Sequence, residues 1–179
     1  MGRVKEQKIE MRLRTTTMLA LVCVILMACM LAGCSKSETP LTYMDKVGST
    51  NLSGEKGGQV TLGIDEQALV KQMGKPIRTL NDGGRSFVFM YEEYQYTSID
   101  NTIMGYMIGP ESATAKGLKL GNAKADVVKL YGDDFYTRAE KGSSATIGYI
   151  DKTAKVAMEI ELKDDLVKNI SVTMLSMYE

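Results

Sequence analysis

The sequence predicts an α+β protein made of two tandem repeats, each a short helix or helical pair followed by an antiparallel β-meander, with the helices on one face of the sheet. Three observations carry this expectation. First, residues recur at a constant offset of 58: Leu62-Gly63 with Leu120-Gly121, Val70-Lys71 with Val128-Lys129, Gly74 with Gly132, and Tyr91 with Tyr149. Self-similarity at one fixed offset is the mark of repeated structural units. Second, each copy opens with a short apolar stripe that ends at a glycine. Third, segments of alternating apolar and polar residues follow each stripe.

In the first copy Asp65 can cap a helix whose stripe is Leu69, Val70 and Met73. Gly74 suits the left-handed position that ends a helix, and Pro76 prevents continuation. In the second copy Asn122 is placed to cap, Val127, Leu130 and Tyr131 form the stripe, and Gly132 ends it. Helices of eight to ten residues are marginal alone and must pack on something. Val156, Met158, Ile160 and Leu162 alternate with Ala157, Glu159 and Glu161, which predicts a strand with one apolar face. Ile170, Val172 and Met174 repeat that pattern after a Lys163-Asp164-Asp165 turn, and Ile147 and Tyr149 mark an earlier strand. Upstream, Phe87, Phe89 and Tyr91 share a face, and Asn81-Asp82-Gly83-Gly84 is a turn signal before them. A turn near Asp100-Asn101 leads to a strand around residues 103–108. The expected boundaries are 59–115 for the first repeat and 116–179 for the second.

The start of the chain is of another kind. Arg12 and Arg14 precede 14 consecutive apolar residues, Met18 to Leu31, followed by Ala32-Gly33-Cys34. That order is a secretory signal, and the run is short of the roughly 20 residues a membrane-spanning helix needs. Met11 opens a compact signal of its own, so it is a candidate start alongside Met1. Leu31-Ala32-Gly33-Cys34 resembles the lipobox of bacterial lipoproteins. The resemblance implies that residues 1–33 are removed, that Cys34 becomes the first residue, and that it carries a diacylglycerol and an acyl chain such as palmitate. It places the protein on the extracytoplasmic face of a cell membrane. Ser35 after the cysteine implies the outer membrane if the cell has one. Residues 34–58, rich in Ser, Thr, Gly, Lys and Glu, are expected to form a flexible tether, with a short ordered piece around Leu41-Thr42-Tyr43-Met44 as the alternative.

Composition excludes several functions. Of 22 basic and 22 acidic residues, five and two fall within positions 1–33, leaving 17 and 20 in the mature 146 residues. A mildly acidic chain with interspersed signs lacks the electrostatic footprint of nucleic-acid binding. Of three cysteines only Cys34 survives cleavage, so the mature chain has no internal disulfide. There is no histidine, which removes imidazole zinc sites and Ser-His or Cys-His nucleophile pairs. No cofactor and no metal is expected, and the alternating Asp/Asn calcium loop is missing.

The run Leu62-Gly63-Ile64-Asp65, Val70, Met73-Gly74-Lys75-Pro76 resembles the opening of small outer-membrane lipoproteins that assist barrel assembly. It also resembles the tandem-repeat fold of β-lactamase inhibitory protein. The resemblance covers residues 59 to 179 and implies a fold that binds proteins through its sheet. It departs at Gly132-Asp133-Asp134, where the second copy lacks the proline stop. No contact residue of those families can be carried over, since the match is confined to the helix motif.

The candidate binding residues come from Tyr91-Glu92-Glu93-Tyr94-Gln95-Tyr96. As a strand, this run would put Glu92, Tyr94 and Tyr96 on one face and Phe89 and Tyr91 on the other. Tyrosines beside acids on a wet sheet suit protein or glycan recognition. The bland alternative is that tyrosine simply favours strands. Glu159 and Glu161 share a strand face at a spacing open to acid–base work on a sugar, though charged strand faces are mostly just solvated. Arg78 and Arg85 flank the glycine turn. The reading that follows is a lipid-anchored, non-enzymatic cell-envelope module that holds an envelope or secreted protein partner. Two alternatives stay open: an enzyme acting on cell-wall polymer through carboxylates, and a structural lipoprotein pairing with itself along a strand edge.

Overall fold

The computed structural model describes residues 38–81, 83–139 and 142–179. The signal segment and Cys34 lie outside the described residues. Helix α1 (Glu66–Met73) is followed by β1 (Arg78–Asn81), β2 (Ser86–Met90), β3 (Tyr94–Ile99) and β4 (Thr102–Ile108). Helix α2 (Lys124–Tyr131) is followed by β5 (Tyr136–Ala139), β6 (Ser144–Asp151), β7 (Val156–Lys163) and β8 (Leu166–Met174).

The strands form one antiparallel eight-stranded sheet in the order β1-β2-β3-β4-β8-β7-β6-β5. This corrects the expected pair of helix-plus-meander repeats. Strands β4 and β8 pair directly, Gly105 opposite Thr173 and Met107 opposite Ser171. Hydrogen bonding is therefore continuous, and two short α-helices serve a single β-rich sheet. The 58-residue offset registers where helices and turns fall along the chain. It carries no information about which strand edges meet.

Register fixes the faces, because directly opposed residues share one. Phe89, Tyr96, Tyr106, Val172, Met158 and Tyr149 lie in one row across six strands. With Ile103, Ile147, Ile160 and Ile170 they form the main core, closed by Leu69 of α1 and by Val127 and Tyr131 of α2. Asp65 caps α1, accepting from Ala68 N–H at 2.7 Å, and Ser98 Oγ on β3 donates to Glu66 on the helix. Val70, expected in the buried stripe, points outward. Asn122 does not cap α2: Ala123 holds that position and its N–H donates to Asp126, while Asn122 Oδ1 accepts from Lys119 N–H at 2.8 Å. Each helix is tied down at its end, Tyr91 Oη donating to Gly74 O at 3.0 Å and Tyr149 Oη to Gly132 O at 2.8 Å.

The stretch expected to be a flexible tether is packed wherever it is described. Pro40–Tyr43 is a 3-10 turn, and Leu41, Tyr43, Met44 and Val47 lie on Tyr136, Ile150, Ala157 and Leu175. At the β6–β7 turn, Thr50 N–H donates to Ile150 O and Leu52 N–H to Asp151. Leu52 and Val60 then enter the main core on the opposite face, where Gly57 O accepts from Tyr96 Oη at 2.7 Å. Residues 38–60 thus wrap around the sheet end as a strap. Polar composition misled because six spaced apolar residues and backbone hydrogen bonds suffice to seat it.

Candidate binding face of the sheet

The second face of the sheet divides into a covered and an open half. One row crosses all eight strands: Arg78, Met90, Gln95, Met107, Ser171, Glu159, Gly148 and Tyr136. At the β5 end the strap and the C-terminal 3-10 turn Leu175–Tyr178 lie over it. Tyr43 stacks on Tyr136 with centroids 4.3 Å apart. Over β1 to β4, Leu80, Val88, Met90, Ile99 and Met107 belong to neither buried cluster, and Met107 is 38% exposed. Gln95 and Thr97 lie among them. Leu80, Val88, Met90 and Ile99 are half-buried, so among the described residues this half is a partly exposed apolar strip with amide and hydroxyl groups set into it.

The covered half is held by a charged network. Glu159 Oε1 accepts from Tyr136 Oη at 2.8 Å and pairs with Arg138 Nη2 at 2.9 Å. Arg138 Nη1 donates to Glu38 O at 2.9 Å, and Tyr43 Oη donates to the Glu38 carboxylate. Burial, then the Glu159 charge, pushes the Tyr136 phenol far above its ordinary range, so it stays a donor. Gly148 makes room for that ring. A Cβ there would stand 1.9 Å from Tyr136 Cζ.

Asp151 anchors the strap at the sheet end. Burial raises its pKa, but N–H donation from Ala154 (2.8 Å), Leu52 (2.9 Å) and Thr153 (3.0 Å) outweighs this and leaves it below the ordinary carboxylate value. A cleft of about 370 Å³ adjoins it, lined by Ser49, Asn51, Ser53, Asp151, Thr153 and Ala154. Glu55 is buried beneath α2, accepting from Tyr131 Oη at 2.6 Å and from Ala115 N–H at 2.9 Å.

The residues singled out by sequence fall in different places. Tyr94 and Tyr96 are buried in the main core, and burial raises the Tyr96 pKa. Glu92 is exposed ahead of β3 rather than on its face. Phe89 opposes Tyr96 directly, and Tyr91 meets the Tyr96 ring edge-on at 5.7 Å, so all share the core face. The tyrosine run is therefore core, and the predicted trio does not converge. Glu159 is engaged as described, whereas Glu161 is exposed. Asp164 and Asp165, like Asp100 and Asn101, have φ between 49° and 62° and form hairpin turns as expected. Arg85 pairs with Asp100 at 2.8 Å on the surface. The open half was missed. Its signal was the second phase of alternation, Val88 and Met90 between the phenylalanines and Met107 beside Tyr106.

Among the described residues no group of three acidic, histidine or cysteine side chains is placed to hold a metal ion, and no helix is long and apolar enough to cross a membrane. No protein-family model and no curated protein matches the sequence. An extracellular protein containing an SCP domain from Bacillus anthracis superposes with a TM-score of 0.46 at 10% identity, covering 80% of this chain and 48% of that one. A cysteine-rich secretory protein from Staphylococcus aureus gives 0.47 at 14% identity, covering 71% and 49%. The chain spans about half the length of these two structures. A protein from Streptococcus mutans, provisionally described as a beta-lactamase inhibitor protein, gives 0.26 at 14% identity over 76% and 95%. These likenesses are distant and assign neither a family nor an activity.

Proposed function

We propose that this chain is an extracytoplasmic lipoprotein, acylated at Cys34, that acts as a non-enzymatic protein-binding module through the open half of its sheet. The carrying observation is the strip Leu80, Val88, Met90, Ile99 and Met107, apolar side chains left outside both buried clusters. Four of these are half-buried and Met107 is exposed, and apolar surface left partly open and rimmed by polar groups marks interaction sites. Gln95 and Thr97 add donors and acceptors that would fix a partner's register. The lipid anchor rests on Leu31-Ala32-Gly33-Cys34 and the signal before it. Use of Glu159 as a free acid is disfavoured by its bonds to Tyr136 and Arg138. Self-pairing is disfavoured by the edges, since β1 and β5 have four residues each.

The test is photo-crosslinking in native membranes from a reactive side chain at Met107, with one at exposed Lys129 on α2 as control. A discrete adduct from the sheet position alone supports the reading. Equal adducts from both positions, or none from Met107, overturn it.

A further inference from the structure

The strap changes what a lipid at Cys34 would do. With a 24-residue tether, the domain could range about 80 Å from its anchor at roughly 3.3–3.6 Å per extended residue. Among the described residues, contacts reach back as far as Glu38, whose carbonyl accepts from Arg138 Nη1 at 2.9 Å. Pro40 is buried, and Leu41, Tyr43, Met44 and Val47 lie in the second cluster. Three residues, four steps along the chain, separate Cys34 from Glu38, a reach of at most about 14 Å whatever their conformation. The sheet spans seven strand intervals from β5 to β1, about 34 Å at roughly 4.8 Å each. The leash is thus shorter than the sheet is wide.

Resting on the acylation of Cys34, we propose that the strap-covered β5 end of this domain is held against the phospholipid headgroups. The strap locks that attachment through three contacts: Arg138 with Glu38, Tyr43 stacked on Tyr136, and Asp151 clasping Leu52, 14 residues after Glu38. The open half of the sheet lies on the same face as the strap's first ten residues, beginning four strands from β5.

Cys34 is the sole cysteine after cleavage and would be blocked by lipid, so Asp45→Cys, exposed on the strap, offers one labelling site. The full chain is expressed in bacteria, purified with its lipid and placed in phosphatidylcholine/phosphatidylglycerol vesicles carrying a headgroup acceptor dye. Energy transfer from the label is compared with that of a version carrying 20 Gly/Ser residues inserted after Ser37. The insert adds a root-mean-square reach of about 25 Å. We expect transfer to fall at least twofold on insertion. Equal transfer in the two proteins, high or low, overturns the proposal. Mass spectrometry separates the two levels: an unacylated Cys34 overturns the anchor and this inference together, whereas acylated protein with equal transfer overturns this inference alone.

Discussion

The ring of Tyr136 lies directly over Gly148, its antiparallel partner on the neighbouring strand. The ring occupies the volume that any side chain at 148 would need, with Tyr136 Cζ only 1.9 Å from where a Cβ would stand. The same ring stacks on Tyr43 and donates to Glu159. Gly148→Ala should therefore cost about 1–3 kcal/mol, the usual penalty of overpacking. It should also loosen the strap. Urea unfolding measures the first effect and limited proteolysis near residue 45 the second. Gly148→Ala combined with Tyr136→Leu should recover part of the loss.

Asp151 makes stability depend on pH in a defined direction. Its folded pKa lies below the unfolded value of about 3.9, so its contribution is fully present above that value. It is lost as pH falls through the depressed folded pKa. Asp151→Asn should lower stability at pH 7 by about 1–3 kcal/mol, since an amide has one accepting oxygen and sets an NH2 donor against a backbone N–H. The variant's urea midpoint should also change less between pH 5 and pH 2 than the parent's. Parallel curves for the two proteins would contradict the assignment.

Buried and open positions should separate cleanly. Met107→Glu should shift stability by no more than about 0.5 kcal/mol, as surface changes do, while abolishing adducts formed from Val88. Tyr94→Ala with Tyr96→Ala should unfold the domain, because both rings are core. Circular dichroism and crosslinking together check the contrast.

A smaller test concerns one hydroxyl. Tyr96→Phe removes the donor to Gly57 O, which keeps the Val60 N–H as a partner, so the cost is that of one hydrogen bond, about 0.5–1.5 kcal/mol. Thermal melting reads this directly.

Strands were legible where one face is apolar and the other wet. Val156, Met158, Ile160 and Leu162 gave both the position and the phase of β7, and the Asp164-Asp165 pair marked its turn. The tyrosine run was misread in phase, because Glu92 suggested a wet face that begins before the strand does. The edges β1 and β5 carry four residues each, too few for alternation to show. The union of β4 with β8 depends on Gly105, where a side chain would stand 2.8 Å from Thr173 Cγ2, and a lone glycine in a strand does not announce its neighbour. The strap was illegible for a related reason. Its seats are made by Asp151 and Tyr136, about a hundred positions away, and composition reports only what a segment can do unaided.

That separation also orders events in time. Leu52 reaches Asp151 across 99 positions and Arg138 reaches Glu38 across 100. Contacts of such span form late, since the loop entropy must be met before they return anything. In a chain emerging from an export channel, the leading segment has nothing to grasp until β5 to β7 have followed it out. The strap would leave the channel ahead of its seats and find its place last, so that completion of the carboxyl-terminal half becomes the event that fastens the strap to its sheet.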